Sequence, residues 1–134
     1  MMFDVNYLAV LITAVVAFIA SGAWYAVFGN AMVRLQKEWR AAEIPEKPDP
    51  WKMLGFFVSG LVTAFALAIL IGLINISGWL GAAGLGVLLW IGFAATQWLG
   101  SILGEDVPLR LAAIHAGDWL IKLVLMAVLL GVWR

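Results

Sequence analysis

The chain has 134 residues, of which 65% are hydrophobic and only 12% charged, with a formal net charge of +0 and a mean hydropathy of +1.04. A water-soluble domain averages about 25% charged residues, so this chain cannot clothe itself in water-facing side chains and reads as an integral membrane protein. Zero net charge gives no reason to expect nucleic acid as a partner, zero cysteines exclude disulfides, thiol catalysis and Cys-type metal centres, and one histidine argues against an all-protein catalytic metal site.

The first apolar run spans residues 5–28. The residues ahead of it carry no Lys or Arg, unlike a secretory signal, so the run is expected to be retained as a membrane helix despite the small residues Ser21 and Ala23. Tyr7 at one end and Trp24–Tyr25 at the other are expected to mark the two headgroup levels. Residues 30–42, NAMVRLQKEWRAA, place Met32, Leu35 and Trp39 on one helical face and most of the cations elsewhere. That pattern fits a short interfacial helix lying on the membrane surface; a frayed extension of the first helix is the alternative. Residues 43–51 hold three of the four prolines and read as an irregular, water-exposed linker.

The second span covers residues 53–76. Gly60, Ala64, Ala68 and Gly72 recur every fourth residue and build a ridge for close helix packing. Asn75 and Ser77 mark its exit. The third span, residues 80–103, repeats the device with Gly92, Thr96, Gly100 and Gly104. Trp79 and Trp98 stand toward its ends and Trp90 near its middle, and Gln97 is expected to hydrogen-bond across helices. A short acidic loop, Gly104–Pro108, follows; two adjacent acids there are read as solvated rather than as a cation site. The two short connections predict antiparallel neighbours. Phe18, Ala20, Ser21 and Gly29 align without gaps on Phe93, Ala95, Thr96 and Gly104. A two-plus-two duplication is one reading, and chance in low-diversity apolar sequence is the other.

The fourth span, residues 110–132, carries His115, Asp118 and Lys122 on one helical face. Each charge near the bilayer centre costs roughly 2.5–3.5 kcal/mol, so Asp118 and Lys122 together ask for about 5–7. The eleven Leu, Ile and Val residues between Leu111 and Val132 return about 0.4 kcal/mol each, or roughly 4–5 in total. Alone in lipid the segment should hardly insert. It becomes stable if Asp118 and Lys122 pair one turn apart and face protein.

Loops one and three hold Arg34, Lys37, Arg40, Lys47, Lys52 and Arg110, whereas the opposite side holds only Arg134. The positive-inside rule therefore places both loops in the cytoplasm and both termini outside.

Asn6–Val10, Gly22–Tyr25 followed by Phe28–Gly29, Trp90–Thr96, and Leu111 with Ile114 and Gly117 at three-residue spacing resemble a group of small, mostly bacterial membrane proteins. These form the domain-of-unknown-function family numbered 1761. The resemblance covers nearly the whole chain apart from the linker. It implies a four-helix bacterial inner-membrane protein and brings no activity. In such proteins an Asn or Asp is expected near the place of His115 and a Tyr near that of Asp118, so the charged trio departs from that pattern.

The expected architecture is a single all-α domain over residues 1–134, with four transmembrane helices and a short interfacial helix in the first loop. No catalytic motif is present, so no enzymatic activity and no cofactor are expected. The polar face of His115, Asp118 and Lys122, with Gln97 and Thr96 completing its lining, serves either as a structural device or as a mid-membrane transport site. The expected partners are the lipid bilayer and either further copies of the chain or a larger membrane complex.

Overall fold

The computed structural model describes residues 5–40 and 49–133. Four helices, each long and apolar enough to cross a membrane, make up almost all of them. They are α1 (Tyr7–Arg40), α2 (Pro50–Ile74), α3 (Trp79–Glu105) and α4 (Leu109–Val132).

α1 is the first departure from the sequence expectation. Its 34 residues make a rod about 50 Å long, far more than the ~30 Å hydrocarbon layer needs. Residues 30–40 are not a separate interfacial helix but continue α1 without a break; residues 41 and 42 and most of the linker fall outside the described residues. Extending an existing helix requires no new nucleus. Met32, Leu35 and Trp39 do share a face, but that face packs on protein. They close over Val107, Leu111 and Ala112 at the α3–α4 corner, beside Trp98 and Ile102. The Trp39 indole donates to the Glu105 carbonyl at 3.2 Å.

The other boundaries follow local chemistry. Asp49 caps α2 by accepting from the Trp51 amide at 2.9 Å, and Pro50 takes the first helical position, where its missing N–H costs nothing. α2 therefore begins three residues before the expected Met53. Asn75 closes it in a left-handed conformation, φ 64°, with its amide on the Ile71 carbonyl. Gly78 turns the chain into α3 at φ 88°, a backbone shape that favours glycine. Asp106, φ 57°, ends α3, and Pro108 leads into α4.

α4 is the central post. A third of its membrane-length window is buried, compared with 17–22% for the other three helices. It packs against α1 and α3 most closely, and against α2 on a further side. α1 and α2 run antiparallel, with Tyr7 stacked on Phe65 and Phe18 edge-on to Phe57. The main core joins Ala9, Val10, Ala14 and Ala17 of α1 to Ala64, Leu67 and Ile71 of α2 and to Leu123, Met126 and Leu130 of α4. α2 and α3, though joined by a short turn, diverge and leave a groove floored by α4.

α3 is not uniform. Trp90–Ala95 form a π-helical stretch. In an unbroken α-helix, Trp90 and Trp98 would point roughly 80° apart. The wider π turn winds back part of that angle, and both indoles reach α4.

The close approaches use glycines outside the expected ridges. A Cβ at Gly86 would lie 2.9 Å from the Leu123 carbonyl oxygen and the Val124 Cα, and one at Gly131 would lie 2.5 Å from the Ala82 Cβ. Within the expected ridges, Ala64 is fully buried and Ala68 packs beside the core, but a Cβ at Gly60, Gly72, Gly92 or Gly100 would meet nothing within 4 Å. Gly86→Ala and Gly131→Ala should each destabilise the bundle by about 1–3 kcal/mol through overpacking. Gly92→Ala should be neutral or slightly stabilising, since Gly costs a helix up to about 1 kcal/mol relative to Ala. Denaturation midpoints of the three variants in mild detergent check this ranking.

Candidate functional site: a buried charged cluster on α4

Asp118 lies nine residues into α4, about 13–14 Å along its axis, close to half the hydrocarbon thickness. It is 2% exposed. Lys122 reaches its Oδ2 from one turn away at 3.0 Å. The pair is therefore on one side of α4 and turned into protein, as the insertion argument requires. The Lys122 ammonium also lies over the Trp119 ring, 3.9 Å from its centroid, a favourable place for a cation.

His115 joins this pair through a residue on another helix. The Tyr25 hydroxyl of α1 stands 2.8 Å from His115 Nδ1 and donates to Asp118 Oδ2 at 3.3 Å. A phenol has one proton. Given to Asp118, that proton leaves the oxygen to accept from a protonated His115 Nδ1. The Tyr25 hydroxyl and the Lys122 ammonium then converge on one carboxylate oxygen, and its charge is stabilised on two counts, with His115 acting through Tyr25. Its second oxygen, Oδ1, is buried without a hydrogen-bond partner.

Tryptophans hold the cluster in register. Trp24 of α1 donates its indole N–H to the Ile114 carbonyl at 2.8 Å, and Trp90 of α3 donates to the Ala116 carbonyl at 2.7 Å. The two accepting carbonyls flank His115. Trp98 stacks flat on the imidazole, with centroids 4.9 Å apart and planes 8° apart. Gly117 makes room for Trp24: a Cβ there would lie 2.6 Å from Trp24 Cζ2.

His115, Asp118 and Lys122 come together through Tyr25, whereas Thr96 and Gln97, expected to complete the lining, do not join them. Thr96 is exposed and returns its hydroxyl to the Gly92 carbonyl of its own helix at 2.9 Å. Gln97 is also exposed and lines the groove between α2 and α3. Their places are taken by Tyr25, Trp24 and Trp98. Proximity to the end of a span is what gives Trp24–Tyr25 the expected headgroup role. α1 continues past Phe28, so Trp24 and Tyr25 lie well inside a helix. Under the gapless alignment of the first and third helices, Trp24 would fall on Leu99 and Trp90 on Val15. The two indole anchors therefore do not occupy equivalent positions in the two helices.

Four apolar rods around a buried ion pair, with polar-tipped aromatics turned inward to satisfy it, are the architecture of a multi-pass helical membrane protein. The chain belongs to the family described as "protein of unknown function (DUF1761)", which matches it over residues 8–131. No curated protein and no solved structure matches it.

The two charges are unequally sheltered, with side-chain exposure of 17% for Lys122 and 3% for Asp118. Lys122→Leu strands a buried carboxylate and should cost about 3–5 kcal/mol. Asp118→Leu leaves an ammonium that can lengthen toward the interface and keep its aromatic contact, so it should cost less. The double Leu variant should be milder than Lys122→Leu alone. Tyr25→Phe should cost about 1–3 kcal/mol by taking a hydrogen bond from the buried carboxylate. Denaturation of the four variants in one detergent gives the order.

Proposed function

We propose that the protein is a non-enzymatic subunit of the bacterial inner (cytoplasmic) membrane that associates with further copies of itself or with a larger membrane complex. The observation that carries this reading is the outward placement of its small residues. Gly60, Gly72, Gly92 and Gly100 meet nothing within 4 Å in the single chain, although small residues at such spacing are what membrane helices use to approach one another closely. The charged cluster, by contrast, is largely occupied with itself and with holding α1 and α3 on α4. In this reading it acts as an internal clamp, and work with partners falls to the outer faces. Loops one and three lie in the cytoplasm and the termini outside, following their Lys and Arg content.

The test is assembly size in mild detergent, with and without Gly92→Leu/Gly100→Leu on α3 and Gly60→Leu/Gly72→Leu on α2. At least one pair should reduce the assembly or release a co-purifying partner while the monomer stays folded. Unchanged assembly in both variants, or a wild-type chain that runs as a lone monomer, would refute the proposal.

One observation favours a second reading, a small transporter of protons or cations. Asp118 keeps one oxygen unpartnered inside the bundle, and Tyr25 links it to His115. Such a chain of groups can pass a proton. Flux into proteoliposomes should then fall in Asp118→Asn and vanish in Asp118→Leu/Lys122→Leu. Flux that survives the double change rules out this route.

A further inference from the structure

The groove between α2 and α3 has a volume of about 610 Å³, within the range of small-molecule sites. Its walls are apolar: Leu67 and Leu70 on α2, Leu89 and Phe93 on α3, Leu123 on α4. Among the residues that carry donors on these walls, Thr63 and Ser101 return their hydroxyls to carbonyls of their own helices, whereas the side chains of Gln97, Trp98 and Trp119 have no hydrogen-bond acceptor among the described residues. The contrast with Trp24 and Trp90 is direct, because both of those indoles are spent on backbone carbonyls. In hydrocarbon an unsatisfied donor is costly, so a groove with three of them is suited to a guest carrying acceptor oxygens.

Depth narrows the guest. Gln97 lies about 12 Å along α3 from its Glu105 end and Trp119 about 15 Å along α4 from Leu109, well below the headgroups of a ~30 Å hydrocarbon layer. A phosphate-bearing head would have to bring its charge to that depth. A neutral carbonyl compound would not. The flat faces of Phe93, Trp98 and Trp119 suit a planar ring. The polar groups Thr63, Gln97 and Ser101 cluster toward the α3–α4 corner, whereas Leu70 and Leu89 lie toward the α2–α3 turn, which matches a guest with a polar ring and an apolar tail.

We propose that this groove binds a neutral amphiphile dissolved in the bilayer, a planar carbonyl-bearing ring on an apolar tail, of the chemical class of the isoprenoid quinones. The ring accepts from Gln97 and the two indoles, and the tail lies along Leu67, Leu70 and Leu89. Trp98 and Trp119 are shared walls: their other contacts are His115 and Lys122, so the guest sits one aromatic layer from the charged cluster. The site does not depend on the assembly or transport readings.

The test uses the full chain in detergent, with native mass spectrometry counting adducts of decylubiquinone, of decylbenzene (a tail and ring without carbonyls) and of phosphatidylethanolamine. A saturable single adduct of the quinone is expected, with the other two binding at least about tenfold more weakly. Gln97→Leu, an exposed change compatible with lipid, should weaken quinone binding about tenfold or more. Ala94→Phe should fill the groove and abolish it. Circular dichroism shows whether each variant is folded; if Ala94→Phe is not, Gln97→Leu decides alone. Equal binding of decylbenzene or the phospholipid, unsaturable binding, or a Gln97→Leu variant that binds as wild type would overturn the proposal.

Discussion

The Asp118–Lys122 pair is the constraint that the rest of the bundle accommodates. Two opposite charges one helical turn apart near mid-membrane are tolerable only when they neutralise one another away from acyl chains. That requirement makes α4 the most enclosed of the four helices and decides which of its faces turns inward. A buried ion pair adds little stability relative to apolar residues of the same volume. What it supplies here is a single acceptable rotation for α4, because any other would put a carboxylate in lipid.

Aromatic side chains with polar tips do most of the accommodating. Tyr25 brings a hydroxyl to the carboxylate from α1, and Trp24 and Trp90 grip the α4 backbone from opposite neighbours at carbonyls flanking His115. Such residues bury a large apolar area and still direct one donor to a partner. The π-helical stretch in α3 belongs to the same arrangement, since it brings Trp90 and Trp98 toward one face. Gly117 belongs to it as well, being the space into which Trp24 lies.

Small residues divide into two populations. Gly86, Gly117 and Gly131 are where another helix or an indole presses against the backbone, and they sit singly rather than in a repeating pattern. The regularly spaced glycines of α2 and α3 face away from the chain's own core. Periodicity is a property of a continuous helical surface and says nothing about which neighbour lies against it. A contact inside a four-helix bundle needs only one or two narrow points where rods cross.

The sequence by itself determined the class: four apolar segments, too few charges for a soluble surface, and one polar face on the last span whose charges had to pair. These follow from hydropathy, length and helical periodicity, which act within a segment. Only the tertiary structure decided that residues 30–40 continue α1 and pack on the α3–α4 corner, that Tyr25 rather than Thr96 or Gln97 completes the charged cluster, and that a groove separates α2 from α3. Each of these depends on the register between helices distant in sequence, and in an apolar chain of low diversity many registers satisfy the same local pattern. Specific pairs such as Tyr25 with Asp118, Trp24 with Gly117 and Trp90 with the Ala116 carbonyl select one of them.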